Sequence, residues 1–255
     1  MFLAIDAGNT NMVLGVFQGR RLTATGRIAN LKERTMDEYG LLISHLLAAR
    51  GVEPSGIDSV GISCVVPPLV PCLETVFRSY FKVRPLFVEP GIRTGIAVLS
   101  ENPQEVGADR IVNAVAAHHR CQSAAVVVDF GTATTFDAIS QKGEYLGGAI
   151  ATGIEIGAEA LFLKAAKLPR VEIRRPPSVI GRNTVHSIQS GLFHGYVGLV
   201  RWIVGKMKEE LAGKTRVLAT GGHLEIFRDE LKDCIDEFVP FLTLEGLQLI
   251  HERNP

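Results

Sequence analysis

Two short segments of this chain set a carboxylate, a glycine and several hydroxyl or amide side chains in the same order. Asp6-Ala7-Gly8-Asn9-Thr10-Asn11 follows one apolar run, and Asp129-Phe130-Gly131-Thr132-Ala133-Thr134-Thr135 follows another 123 positions later. Glycine at positions 8 and 131 is expected to turn the backbone through positive φ and to let it approach a ligand with no Cβ in the way. Consecutive amides in such a turn make an anion-binding concavity, to which Thr10, Asn11, Thr132, Thr134 and Thr135 add neutral donors. Phosphate suits those donors. Asp6 and Asp129 would repel a phosphate, so they make sense with a cation between; Mg²⁺ prefers one or two carboxylates, several waters and substrate phosphates. Either loop alone reads more readily as an ordinary turn, since Asp, Gly, Asn and Thr are common turn formers. Two matched loops favour phosphate binding, with a nucleoside triphosphate held from both sides.

The elements that carry these loops repeat as well. Apolar runs at residues 2–5, 12–17 and 22–28 are separated by connections too short for crossovers and predict an antiparallel meander, its second turn at Gln18-Gly19. The pattern restarts with strands at 124–128, 136–140 and 145–150, with a turn at Lys142-Gly143. Thr35-Met36-Asp37-Glu38 reads as a capping box, Leu41, Leu42, Leu46 and Leu47 continue that helix, and Gly51 stops it. A buried strand at 59–66, a helix at 70–80 and a short strand at 86–88 follow. Pro103 suggests a helix start that Gly107 interrupts before residues 108–119 resume it. In the second half, helices are expected at 155–166 and 185–211, a strand at 217–219 and a final helix at 244–252. Alternating strands and helices after each meander make the class α/β. Two copies of one domain explain the repeat, with the boundary near 118–123, hence domains 1–120 and 121–255.

Composition narrows the function classes. The chain has 255 residues, 46% of them hydrophobic and 21% charged, with 27 basic and 27 acidic side chains and a formal charge of zero. That is a globular composition with no electrostatic footprint for nucleic acid or anionic lipid. The most apolar long stretch, residues 191–205, holds His194 and Arg201 and falls short of the roughly 20 apolar residues of a spanning helix. Cys64, Cys72, Cys121 and Cys234 form no CxxC pair, and the five apolar residues before Asp6 are too few for a signal peptide. A reducing compartment, the cytoplasm, is expected. His118-His119, His186, His194 and His223 lack zinc-ligand spacing.

Four motifs in order, Asp6-Ala7-Gly8-Asn9-Thr10, Gly107-Ala108-Asp109-Arg110, Asp129-Phe130-Gly131-Thr132-Ala133-Thr134 and Gly181-Arg182-Asn183-Thr184, resemble the type III pantothenate kinases over nearly the whole chain. The first and third are shared more loosely by acetate and sugar kinases, heat-shock ATPases and actin. The second and fourth narrow the resemblance. It implies two duplicated ribonuclease H-like domains, each a mixed sheet with an antiparallel three-strand meander flanked by helices, with an ATP cleft between them. It also implies transfer of the γ-phosphoryl of ATP to the hydroxyl of pantothenate, the first step towards coenzyme A. By that resemblance Asp6, Ala7, Gly8, Asn9, Thr10, Asn11, Met12 and Val13 would hold the ATP phosphates, with Thr132 also on ATP. Asp6 would help to place Mg²⁺, and Asp129 would bind a monovalent cation, K⁺ or NH₄⁺. Gly107, Ala108, Asp109, Arg110 and Thr184 would contact pantothenate, with Asp109 the proton acceptor, and the enzyme would be a homodimer.

Taken without the resemblance, Asp109 could equally be a first-turn acid favoured by the helix dipole, and Arg110 a surface charge. A carboxylate beside an attacking hydroxyl can orient it and take its proton, and the fork of Arg110 matches a substrate carboxylate. Ser100 departs from the family pattern, which commonly has Tyr before Glu101-Asn102-Pro103. Thr220-Gly221-Gly222 after a buried strand would let the backbone approach adenosine. A kinase of the same superfamily with another acceptor, or a non-catalytic regulator on the same fold, are the competing readings; the three acids Asp6, Asp109 and Asp129 weigh against the second.

Overall fold

The computed structural model describes residues 1–31 and 33–255. The chain forms two compact units, one of residues 1–96, 101–116 and 242–255, the other of residues 97–100 and 117–241.

In the first unit the apolar run becomes β1 (Phe2–Ala7), paired antiparallel with β2 (Asn11–Gln18), which pairs antiparallel with β3 (Arg21–Ala29). The turn between β2 and β3 lies where expected, with Gly19 at φ +59°. Helix α1 (Met36–Ala49) begins at a complete capping box: the Thr35 hydroxyl accepts the Glu38 amide at 3.3 Å, and the Glu38 carboxylate accepts the Thr35 amide at 2.7 Å. The Thr35 amide and, at 2.9 Å, the Thr35 hydroxyl both donate to the Glu38 carboxylate and hold it below its ordinary pKa. Its buried face is Tyr39, Gly40, Ile43 and Leu47, whereas Leu41 and Leu42 face solvent, because a 3.6-residue period cannot turn the whole leucine run inward.

Strand β4 (Ser59–Cys64) lies parallel to β1, and β5 (Leu86–Phe87) parallel to β4, so the sheet order is β3-β2-β1-β4-β5. The expected helix between them is α2 (Leu69–Val76) followed by a wide π turn (Phe77–Phe81), closed by Lys82 in the left-handed region at φ 58°. A 3₁₀ turn (Pro103–Glu105) answers the proline signal, and α3 (Ala108–Cys121) starts after the Gly107 break. One face of the sheet packs Leu3, Ile5, Met12 and Leu14 against α1 and α2 through Ile43, Leu73 and Phe77. The last helix, α7 (Leu242–Arg253), covers the opposite face: a Cβ on Gly15 would sit 2.7 Å from Leu244, and His251 stacks on Phe2 at 4.2 Å.

The second unit opens with β6 (Ala97–Val98), then repeats the first as β7 (Ala124–Phe130), β8 (Ala133–Ile139), β9 (Glu144–Thr152), β10 (Thr215–Thr220) and β11 (Glu237–Phe238). Its sheet order, β11-β10-β7-β8-β9-β6, is the first sheet's order read from the other end, with β6 added parallel to β9. Helices α4 (Ile154–Lys164) and α5 (Thr184–Leu211) connect β9 to β10, and α6 (Leu224–Leu231) connects β10 to β11. Sequence reading passed over α6, although its buried Leu224, Phe227 and Leu231 carry the helical spacing. The core is built on one face of α5, where Phe193 stacks on Phe227 at 5.7 Å and Phe227 on Phe130 at 5.1 Å. Among the described residues no helix is long and apolar enough to cross a membrane.

Candidate active site

Asp6 and Asp129 occupy the same place in the two sheets. Each is the penultimate residue of the central strand, paired with the second strand (Asp6 with Val13, Asp129 with Thr135) and, on its other side, with a parallel strand (Asp6 with Ser63, Asp129 with Thr220). Both are half-buried at the C-terminal ends of the parallel strands, where open α/β sheets take their ligands.

The two glycine loops are not left-handed turns. Neither Gly8 nor Gly131 has positive φ, so that expectation is corrected: glycine serves here for close approach. A Cβ on Gly8 would stand 3.2 Å from the Asn11 carbonyl, and one on Gly131 3.3 Å from that of Ala133. These are the carbonyls that the two glycine amides reach, at 3.0 and 3.1 Å. The second hairpin is one residue tighter than the first.

Asn30 braces the first loop, a role that sequence reading missed. Its side-chain amide donates to the Gly8 carbonyl at 2.7 Å, its backbone amide to the Thr10 carbonyl at 2.8 Å, and its side-chain Oδ1 accepts the Tyr39 hydroxyl at 2.6 Å. Asn9 and Thr10 are exposed at the loop tip and Gly8, Asn11 and Val13 half-buried. Ala7 and Met12 are fully buried in the core, so only their backbone could serve a nucleotide.

Gly107-Ala108-Asp109-Arg110 is brought to the same end of this sheet. The Val65 amide, just past β4, donates to Ala7 at 3.2 Å, and the Cβ position of Gly107 lies 3.7 Å from Val65. The Asp109 carboxylate folds back over Gly107 so closely that a Cβ there would be 2.5 Å from it, and it accepts the Arg110 amide at 2.8 Å. Burial raises the Asp109 carboxyl above its ordinary pKa, against the lowering effect of the Arg110 amide and guanidinium. A carboxylate so held is a stronger proton acceptor than a solvated one.

In the second unit, two glycines press on the Asp129 loop. A Cβ on Gly221, at φ +102°, would lie 2.5 Å from both the Asp129 carboxylate and the Phe130 amide. One on Gly153 would lie 2.0 Å from the Thr132 carbonyl. His223 donates its backbone amide to Phe130 at 3.2 Å, and its ring meets Glu155 at 3.0 Å. Thr132 is exposed, whereas Thr134 is buried in the core and is not a loop donor. Thr184 is the exposed first residue of α5, beneath an Asn183 cap whose side chain accepts the His186 amide at 2.8 Å. Gly181 lies against Ser187, where a Cβ would come within 2.4 Å of the backbone. Ser100 follows β6, with its hydroxyl buried and without a hydrogen-bond partner among the described residues.

A mixed sheet of this order, built twice with an Asp-Gly hairpin on each central strand, is the architecture of the sugar-kinase and actin class. Solved structures agree at the level of fold. A Campylobacter jejuni protein described as a Baf family transcriptional activator superposes with a TM-score of 0.63 at 18% identity, covering 99% of this chain and 98% of that one. A ROK family glucokinase from Streptomyces griseus, solved with glucose and AMPPNP, gives 0.51 at 12% identity, covering 98% of each. The sequence model of the type III pantothenate kinases matches residues 2–206, and the type III pantothenate kinase of Myxococcus xanthus is 56% identical over 254 residues, all of this chain and 99% of that one. The chain belongs to the type III pantothenate kinase family.

Proposed function

We infer that this chain is an ATP-dependent kinase that transfers the γ-phosphoryl of ATP to the hydroxyl of pantothenate, giving 4'-phosphopantothenate in the first step of coenzyme A biosynthesis. The observation that carries this reading is full-length membership of the family, joined to the matched Asp-Gly hairpins.

The finer roles are proposals. Asp6, Ala7, Gly8, Asn9, Thr10, Asn11, Met12 and Val13 hold the ATP phosphates, and Thr132 also contacts ATP. Gly107, Ala108, Asp109, Arg110 and Thr184 hold pantothenate. The pantothenate hydroxyl attacks the γ-phosphorus in line, the bond from that phosphorus to the β,γ-bridging oxygen breaks, ADP leaves, and the hydroxyl proton passes to Asp109. The raised affinity of Asp109 for a proton supports the assignment.

Mg²⁺ suits Asp6, a single half-buried carboxylate at a strand end with exposed donors beyond it. Among the described residues no group of three or more His, Cys, Asp or Glu could hold a metal, so the donors would be Asp6, water and ATP oxygens. When bound, Mg²⁺ neutralises charge on the phosphates. K⁺ or NH₄⁺ suits Asp129, whose carboxylate lies in the space that a side chain at Gly221 would fill. We further propose a cytoplasmic homodimer, and a sequence duplicated as 1–120 and 121–255 whose last residues, 242–255, pack with the first unit. Exposed Ile150, Phe162, Leu163 and Ile180 in the second unit support an apolar interface, which sedimentation would reveal as twice the chain mass.

The deciding experiment is ADP release with pantothenate, Mg·ATP and either K⁺ or Na⁺. Pantothenate-dependent turnover favoured by K⁺ is expected; a folded protein that turns over only another acceptor would overturn the substrate. Asp6→Asn is expected to raise the Mg²⁺ concentration for half-maximal turnover about tenfold or more, and an unchanged titration removes its metal role. Ser100→Tyr should lower the pantothenate KM or leave it unaltered, while a large rise would mean that the pocket is built around the serine.

A further inference from the structure

Ser63 is fully buried, yet its hydroxyl has no hydrogen-bond partner among the described residues. Leaving a buried hydroxyl unpaired costs roughly 1–3 kcal/mol, so a strand position that merely needed filling would favour alanine. The position is specific. Ser63 stands opposite Asp6 in the parallel pairing of β1 with β4, so the two side chains leave the sheet on the same face, on strands about 4.8 Å apart. Ladder pairing fixes that register, and the Val65 amide on Ala7 extends it past the strand end. The neighbouring Cys64 thiol is occupied by the Val66 carbonyl at 3.3 Å, so the serine alone of the pair is unspent.

The second unit repeats the arrangement. Thr220 stands opposite Asp129 in the parallel pairing of β7 with β10, and it too is buried, at 2% exposure. Each motif carboxylate therefore has a buried hydroxyl residue at the same place on the neighbouring strand. Other buried unpaired groups, such as Thr215 Oγ1 and Gln189 Oε1, have no motif carboxylate in register.

We propose that Ser63 is a positioning residue of phosphoryl transfer, its hydroxyl turning to the in-register Asp6 carboxylate when that carboxylate carries a cation and so setting how Mg·ATP sits on the first loop. The inference rests on the reading of Asp6 given above. A hydroxyl can donate to a carboxylate oxygen, so it adds orientation without a charge.

The test compares Ser63→Ala with Ser63→Thr, the residue of the matching position. In Ser63→Ala the Mg²⁺ concentration for half-maximal turnover should rise roughly tenfold, the size of one hydrogen bond to a polarised group. Its pantothenate KM should stay within about twofold, and Ser63→Thr should restore the Mg²⁺ dependence, since one hydroxyl replaces another. A second readout needs no turnover: the extra thermal protection by ATP with Mg²⁺, relative to ATP with EDTA, should shrink in Ser63→Ala while the Tm without ligand holds or rises. Unchanged Mg²⁺ dependence in Ser63→Ala overturns the proposal, as does a lower Tm with that dependence intact, which would mark a structural serine. Asp6→Asn separates the layers. If it shifts the Mg²⁺ titration and Ser63→Ala does not, only this inference fails; if neither shifts it, the Asp6 assignment fails first.

Discussion

Asp109→Asn is expected to lower kcat about 10²-fold or more while ATP still binds and the protein remains folded. The amide keeps the shape and can still accept the Arg110 amide at the start of α3, but it cannot take a proton from the attacking hydroxyl. Stability should move in the opposite direction. Burial raises the Asp109 pKa in the folded chain. A folded pKa above the unfolded one contributes stability that is complete below the unfolded value and lost as pH rises through the folded value. At pH 7 the ionised carboxylate therefore weighs against folding, and Asn removes that weight, so Tm at pH 7 should hold or rise. Activity has the reverse sign: the base works only when ionised, and kcat/KM should fall on the acid side at a pH above that of an ordinary Asp. Stopped assays from pH 4 to 8 on wild type and variant, beside melting curves, check all three. Near-normal turnover of Asp109→Asn sinks the base assignment; a large fall in Tm would make Asp109 a cap.

Gly153→Ala should be the most damaging small substitution near the second loop. Its Cβ would fall 2.0 Å from the Thr132 carbonyl oxygen and 2.8 Å from that of Gly131. Both are backbone atoms, so no rotamer relieves the clash and the hairpin itself must move. Overpacking of this kind costs about 1–3 kcal/mol and occasionally more. At the upper end that lowers Tm by roughly 6–12 °C for a unit of this size. Because the displaced atoms carry Thr132, the KM for ATP should rise as well. Gly191→Ala is the matched control. Gly191 lies inside α5 with nothing within 4 Å of its Cβ position, so alanine there should be neutral or stabilising by up to about 1 kcal/mol. Equal melting temperatures for Gly153→Ala and wild type would show that the loop yields without cost.

Both meanders were legible because each strand is a short apolar run closed by a turn residue, a signal contained within a few neighbours. The capping box of α1 was legible for the same reason: Thr35 and Glu38 make their bonds within one turn. Of the three two-residue strands among the described residues, β5 was legible and the other two were not. Strands β6 and β11 are two residues each and exist because β9 and β10 offer them an edge, which no local propensity announces. The leucines of α1 showed the limit of counting apolar residues, since the helix period and not the composition decided that Tyr39, Ile43 and Leu47 go inward.

The candidate site divides along the same line. Asp6, Asp129 and their glycines were proposed from residue types and spacing, whereas Asp109 was singled out only by the resemblance, since an acid in the first turn of a helix has an ordinary reading of its own. Why the glycines are needed could not be read that way: Gly8 and Gly131 make room for the carbonyls their own amides reach, while Gly153 and Gly221 make room for a loop remote in sequence. The bracing of Gly8 by Asn30 and Tyr39, and the placing of Ser63 beside Asp6, likewise depend on residues far apart in the chain. Sequence alone determined the class of fold, the doubled Asp-Gly hairpins and the family, since each is written in local pattern or motif order. Tertiary structure decided which hydroxyl stands beside Asp6, how deeply Asp109 is buried and which face α7 covers, because register, burial and close approach are properties of segments that meet only when the chain has folded.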